Sequence, residues 1–352
     1  MTCNNRRRFL AHSSAYGLTL ALPSFLFGQT DDTATGWTAD ELITPETQRA
    51  IDRGLANLSR RQTMSGNGKG SFGYGGYAGG VAVCGLAGIA FMCGGSPPGQ
   101  GPYGRHVDRC VDFIIRSTQK SGYISNPGGQ DSMYGHGFAT LFLAEAYGMS
   151  QNPEVGEKLR LAVKLIVDTQ NDAGGWRYAP QKGDADLSIT ICQIMALRAA
   201  RDAGIYVPDV TRERCINYVK KSQNADGGFR YQLSSGGSTF PLTAAGLVSL
   251  YSAGIYHGEQ IDKGLAWLMR QVPSGTAGGS YYFYGQYYAV QAAWHAGGNY
   301  WLRWYPAIRD VLLRTQLSDG SWVDSTVGAE FGTAMACIIL QMPNDFVPIF
   351  SW

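Results

Sequence analysis

QNDAGGWRYAP occupies residues 170–180, QNADGGFRY residues 223–231 and QLSDGSW residues 316–322. Each copy sets a glutamine, a polar turn, glycine and then an aromatic residue in the same order. Repetition at such a period marks stacked supersecondary units, not one irregular core. Before Gln170 lies EKLRLAVKLIVDTQ, with Leu159, Ala162, Val163, Ile166 and Val167 at helical spacing. After Trp176 comes LSITICQIMALRAARDAG, a more apolar helical stretch closed by Gly204. The unit is therefore helix, turn, helix.

Used as a template, the three clear copies reveal six. First helices end near Gln62, Gln119, Gln170, Gln223, Gln271 and Gln316, 45 to 57 residues apart. These helices carry charge on one side, whereas their partners are nearly uncharged and rich in Ala and Gly. A helix apolar all round must be buried; a helix with one charged face sits outside it. Closing a ring of hairpins buries the terminal repeats, which an open array would have to cap. The expected fold is all-α, a single (α/α)6 barrel over residues 36–352. The apolar ending IILQMPNDFVPIFSW suits docking onto repeat one.

In each turn the Gln amide is expected to bond free backbone groups at a neighbouring helix end. The glycines allow positive φ, and the aromatic (Trp176, Phe229 or Trp322) covers the turn. Copies one, two and five are degenerate, so looser stapling is expected there.

The chain has 352 residues, 44% of them hydrophobic, and a net charge of +2, which offers no electrostatic footprint for nucleic acid. At the N-terminus Arg6, Arg7, Arg8, Phe9 and Leu10 precede a short apolar stretch, Ala15 to Phe27. This resembles a twin-arginine export signal within residues 1–35. The stretch is too short to span a bilayer. A periplasmic or otherwise extracytoplasmic destination follows, with membrane association still open. Of seven cysteines, none forms a C-x-x-C pair. Cys93 and Cys110 flank one loop and suit either a disulfide or apolar core positions.

The pattern Q-x-x-x-G-x-W at Gln170–Trp176 and Gln316–Trp322, with Phe229 in the aromatic slot of a third copy, resembles the QW motif of the squalene cyclase and protein prenyltransferase superfamily. The resemblance spans roughly residues 45–350. It implies an α/α toroid and isoprenoid chemistry in an apolar central cavity. Class II cyclases of that superfamily protonate an alkene with the middle acid of D-x-D-D. Here the matching run is Asp184, Ala185, Asp186 and Leu187, so Asp186 stands in the acid's place while the last acid is missing. The zinc set of prenyltransferase β-subunits finds only Asp108, Cys110 and His136, without a G-R-x-N-K segment. The D-D-x-x-D box of class I synthases and the G-C-G-E-Q thioester are absent. No metal and no cofactor is expected.

Inner helices of such a barrel run parallel, so their N-termini gather at one rim and favour an electron-rich ligand. Residues there include Asp131, Ser188, Thr239, Gln286 and Thr333. Asp186, His136 and Glu330 are the candidate catalytic groups. Asp184, Tyr134, Thr243, Tyr284, Tyr287, Tyr288 and Trp294 are candidate ligand contacts, the aromatic ones through their ring faces. Several of these sites also want an N-cap, Asp186 and Thr243 among them. The expected function is an exported toroid that binds, or cyclises, an isoprenoid or polycyclic lipid. Two alternatives stand beside it. One is a non-catalytic extracytoplasmic scaffold. The other is a carbohydrate-active (α/α)6 enzyme, which needs two carboxylates about 5 to 9 Å apart, with Asp186 and Glu330 as the pair.

Overall fold

The computed structural model describes residues 39–73, 77–126, 131–275 and 278–351. The arginine-bearing segment read as an export signal lies outside them. After a short α1 (Ala39–Leu42) the chain alternates outer and inner helices. The outer ones are α2 (Pro45–Arg61), α4 (Gly104–Arg116), α6 (Val155–Thr169), α8 (Asp209–Lys221), α10 (Glu259–Leu268) and α12 (Gly298–Thr315). The inner ones are α3 (Val81–Cys93), α5 (Met133–Ala146), α7 (Leu187–Asp202), α9 (Phe240–Ser252), α11 (Tyr282–Ala296) and α13 (Ala329–Leu340). Among the described residues there is no extended strand, only isolated bridges in the turns.

Burial follows the charge contrast. Residues 187–200 of α7 are buried on every face, whereas outer α4 buries a stripe through Val107, Cys110, Val111 and Ile114. Each inner helix packs on the next, and α13 packs on both α3 and α2, so the ring closes. The barrel is of the α/α toroid type the repeats predict.

The repeated turn turns out to be a joint between repeats. Gln170 Nε2 donates to Gly174 O in its own turn and to Thr211 O on the next outer helix, each at 2.9 Å. Gln223 treats Gly227 and Gln260 alike. Gln316 bonds Gly320 O and then Ala50 O at 2.8 Å, which joins repeat six to repeat one. Gly174 has φ +97°, and a Cβ on it would fall 2.1 Å from Arg214 O on the next outer helix. Only glycine allows both the conformation and the approach. The indoles of Trp176 and Trp322 donate to Ile166 O and Leu312 O in the last turns of the outer helices.

Copy one departs from the looser stapling expected of it. Gln62 Nε2 reaches both Gly70 O and His106 O, because the glycine-rich insert still delivers Gly70 beside α4. In copy two Gln119 instead bonds the nearby Ser125 hydroxyl. The six cysteines of the described residues are free and buried, so the Cys93–Cys110 disulfide does not form. Cys110 Sγ accepts from Gln62 instead.

The C-terminal segment crosses the far end of the barrel. Gln341 and Asn344 donate to Ala90 O and Cys93 O on α3, and Arg198 on α7 donates to Ser351 O. Phe350 thereby reaches Tyr287 on α11, ring to ring at 6.2 Å.

Candidate functional site

In a ring of six, α5 and α11 face each other across the axis. Their side chains touch. Tyr134 meets Tyr284 edge to face at 6.1 Å, and Phe138 meets Tyr287 at 6.1 Å. Tyr284, Tyr288 and Tyr287 follow one another at 4.8 and 4.9 Å, with Phe350 against Tyr287 from below. Tyr284 donates to Ser188 O at 3.0 Å, and Cys192 meets the Tyr288 hydroxyl at 3.5 Å, tying the column to α7. Tyr287 and Tyr288 are wholly buried. Burial drives the phenols of Tyr284, Tyr287 and Tyr288 well above their usual range, so they remain neutral. An aromatic column thus occupies the axis up to the level of Tyr134 and Tyr284.

Asp186 sits at the mouth. It is the N-cap of α7, and Oδ1 accepts from Ile189 N at 2.9 Å and from Ser188 Oγ at 2.5 Å. Oδ2 is buried without a hydrogen bond. Arg177 Nε stands 3.7 Å from it. The Arg177 guanidinium lies over the rings of Tyr178 and Tyr231, at 5.4 and 5.6 Å, and pairs with Asp184 at 3.2 Å. The Tyr178 and Tyr231 hydroxyls are hydrogen-bonded to each other at 2.9 Å. Loss of water raises the Asp186 pKa, and its hydrogen bonds with Ser188 and Ile189, then Arg177 and the Tyr231 hydroxyl, act against that rise. Gln232 also donates to Asp184.

Other expected residues lie elsewhere. His136 does not join Asp186: Nδ1 accepts from Ile124 N at 3.1 Å and Nε2 faces Ala162 O at 3.3 Å. It fastens α5 to its own turn and to α6. Burial lowers its pKa to about 4. Glu330 is tied outward to Arg61 at the end of α2, at 3.0 Å. Asp186 and Glu330 belong to opposite inner helices, α7 and α13, and the Tyr134–Tyr284 contact spans the axis that separates those helices. Thr243 accepts from Phe229 N at 3.0 Å, as Thr190 does from Trp176 N and Thr333 from Trp322 N. It therefore supports the turn and not the helix end, where Thr239 is the N-cap residue. Trp294 lies near the C-terminal end of α11 and packs on Trp301 of outer α12 at 4.7 Å, away from the mouth.

The rim expected to favour an electron-rich ligand is largely occupied by the protein itself. Asp131 Oδ1 accepts from Val81 N, Tyr178 O from Met133 N, and Tyr231 O from Leu187 N, so loops of repeats two, three and four satisfy the preceding inner helices. Arg177, Tyr178 and Tyr231 escaped the sequence reading. Their signal was the Arg-Tyr pair that follows Trp176 and recurs after Phe229. Among the described residues no group of His, Cys, Asp and Glu side chains is gathered as a metal site, and no helix is long and apolar enough to cross a membrane.

A closed ring of six hairpins, apolar within and charged without, with acidic and aromatic residues at the inner-helix N-termini, defines an α/α toroid. The prenyltransferase alpha-alpha toroid domain matches residues 104–281. The chain belongs to that family. Among solved structures it is similar to a protein from Actinoplanes, at TM-score 0.61 and 15% identity over 85% of this chain and 99% of that one. It is also similar to the type II terpene cyclase MstE from Scytonema, at TM-score 0.59 and 15% identity over 86% and 100%. An inactive variant of an alpha-1,6-mannanase from Salegentibacter, in complex with alpha-1,6-mannotriose, matches at TM-score 0.60 and 8% identity over 84% and 98%. At these identities the likeness is one of fold. No curated protein matches the chain.

Proposed function

We propose that this protein is an exported, non-catalytic binding toroid that takes a small molecule or lipid across the mouth of its barrel. The observation that carries this reading is the aromatic column: Tyr134, Tyr284, Tyr287, Tyr288, Phe138 and Phe350 hold the axis where a cyclase would need an open apolar lumen. What remains for a ligand is the rim, where Tyr178 is 42% exposed beside Arg177 and Asp184. Native mass spectrometry of protein recovered from its own cells tests the reading. A co-purifying molecule whose retention falls in Tyr178→Ala supports it; retention indifferent to Tyr178→Ala removes the mouth as its site. Export rests on the arginine run, and replacing Arg6 and Arg7 by Lys should leave the precursor in the cytoplasm on cell fractionation.

One observation favours a second reading, acid catalysis on an isoprenoid. The Asp186 carboxyl, placed as the middle acid of a D-x-D-D run, holds its proton more tightly than usual because it is buried. Conversion of a linear polyprenyl substrate to a cyclic product by the wild type, lost in Asp186→Asn, would install that reading and end the non-catalytic one.

A further inference from the structure

On the outer wall of the barrel, α6 and the segment that leads from the C-terminal end of α7 into α8 leave a groove between repeats three and four. It lies toward the end opposite the mouth. The groove encloses about 410 Å³ and is floored by Val163, Val167, Ile205 and Pro208, with Arg160 and Lys164 along the α6 wall. Tyr206 stands on the other wall, 82% exposed, and Val210 just beyond it is 53% exposed. A lone exposed apolar residue is ordinary, but here a projecting ring and an open apolar groove share one face. The two walls also differ in charge. Lys164 is paired with Asp168 of its own helix, whereas Arg160 meets no acid among the described residues. Asp209, the first residue of α8, is exposed and only loosely paired with Arg212, at 3.7 Å.

We propose that this face joins two copies of the chain about a two-fold axis that runs along the groove. Such an axis exchanges the walls, so α6 of each copy lies against the start of α8 in the other. Arg160 then meets the second copy's Asp209, and the dimer contains that pair twice. Tyr206, carried on the acid-bearing wall, enters the other copy's groove against the stems and charges of Arg160 and Lys164. Charge selects a second copy over other occupants. An acidic segment would face Asp209, a basic one would face Arg160, and an apolar one would answer neither. An axis across the groove would set Arg160 against Arg160, which repulsion disfavours. The contact leaves both mouths open and does not rest on the mouth-binding reading.

Sedimentation velocity of the full chain over a concentration series tests this. The expected result is a monomer–dimer equilibrium whose dissociation constant rises tenfold or more in Tyr206→Ser, in Arg160→Glu and in Asp209→Lys. The Tyr206→Ser thermal midpoint, taken at a dilution where the wild type is also monomeric, should be unchanged, because the ring is exposed. Arg160→Glu and Asp209→Lys in one chain exchange the charges of the two walls and should restore the wild-type constant. A wild type that stays monomeric up to millimolar concentration overturns the proposal. A dimer indifferent to Tyr206→Ser overturns it as well, since the contact would then lie on another face. Association weakened by each charge reversal but not restored by the pair, in a chain that still melts cooperatively, removes the two-fold facing of Arg160 and Asp209 and the proposal with it.

Discussion

His136 shows how one residue can be placed correctly in the chain and serve another purpose. It sits at the start of an inner helix, as the sequence reading requires, but its ring bonds Ile124 N and Ala162 O and lies against Tyr123 at 5.7 Å. The periodicity of α5 fixes the face on which a side chain lies, not which backbone groups stand opposite. For Asp186 the local sequence carried more, since an acid followed by Ser188 and an apolar run is an N-cap signal. Arg177 was illegible because its partners come from two repeats. Burial lowers the His136 pKa from 6.5 to about 4, so the folded state binds fewer protons than the unfolded one between those values. The resulting stability is complete above pH 6.5 and is lost as pH falls toward 4, by roughly 3 kcal/mol at most. His295, lowered to about 3 by burial and Arg198, adds a loss of the same sign. Urea midpoints of wild type and His136→Gln should therefore converge as pH drops from 7 to 4.5. A constant difference across that range would show that His136 does not titrate there.

At the scale of the element, six hairpins were legible because a charged helix and an uncharged one alternate with fixed punctuation. The reach of Gln170 was legible, since its amide was expected at a neighbouring helix end and bonds Thr211 O. That of Gly174 was not: it reads as local turn chemistry, yet its Cα lies against Arg214 O of the next outer helix. Copy one shows the limit of motif counting: a long insert separates Gln62 from its aromatic, and the bonds to Gly70 O and His106 O persist because the helix ends still meet. Gly174→Ala should cost at least about 3 kcal/mol, from a left-handed residue given a Cβ and a backbone clash that cannot relax. Gly183→Ala, with no atom within 4 Å of the added carbon, should be near neutral by the same thermal melt. Gln170→Ala leaves the buried Gly174 carbonyl unpaired and removes the bond to Thr211 O, and should cost about 2 kcal/mol, whereas Gln119→Ala, whose single bond is exposed, should stay within about 0.5 kcal/mol. Equal effects at the two glutamines would mean that the joint between repeats carries no stability.

For the whole molecule, closure could be read from the need to cover the ends of the array, but the filling of the axis could not. Helices rich in Ala and Gly approach closely, and whether six of them leave a hole depends on a few large residues turned inward. Tyr284, Tyr287 and Tyr288 share one helix with Trp294, and sequence alone assigns all four to a cavity, although only the three tyrosines stand in the axial column. Closure has a thermodynamic consequence. In an open stack each repeat has neighbours on one side at the ends, so damage there frays locally. Here the seam between repeats six and one is built like any other joint: Gln316 bonds Ala50 O, Arg61 meets Asp319 and Glu330 at 3.3 and 3.0 Å, and α13 packs on α2 and α3. A cut at the seam therefore removes support from every repeat through its neighbours. Gln316→Ala should lower hydrogen-exchange protection in α7 and α9, opposite the seam, by the same factor as in α2 and α13, because a cooperative ring opens as one unit. Protection lost in repeats six and one alone, with α7 and α9 unchanged, would show that the ring is a stack whose ends merely touch.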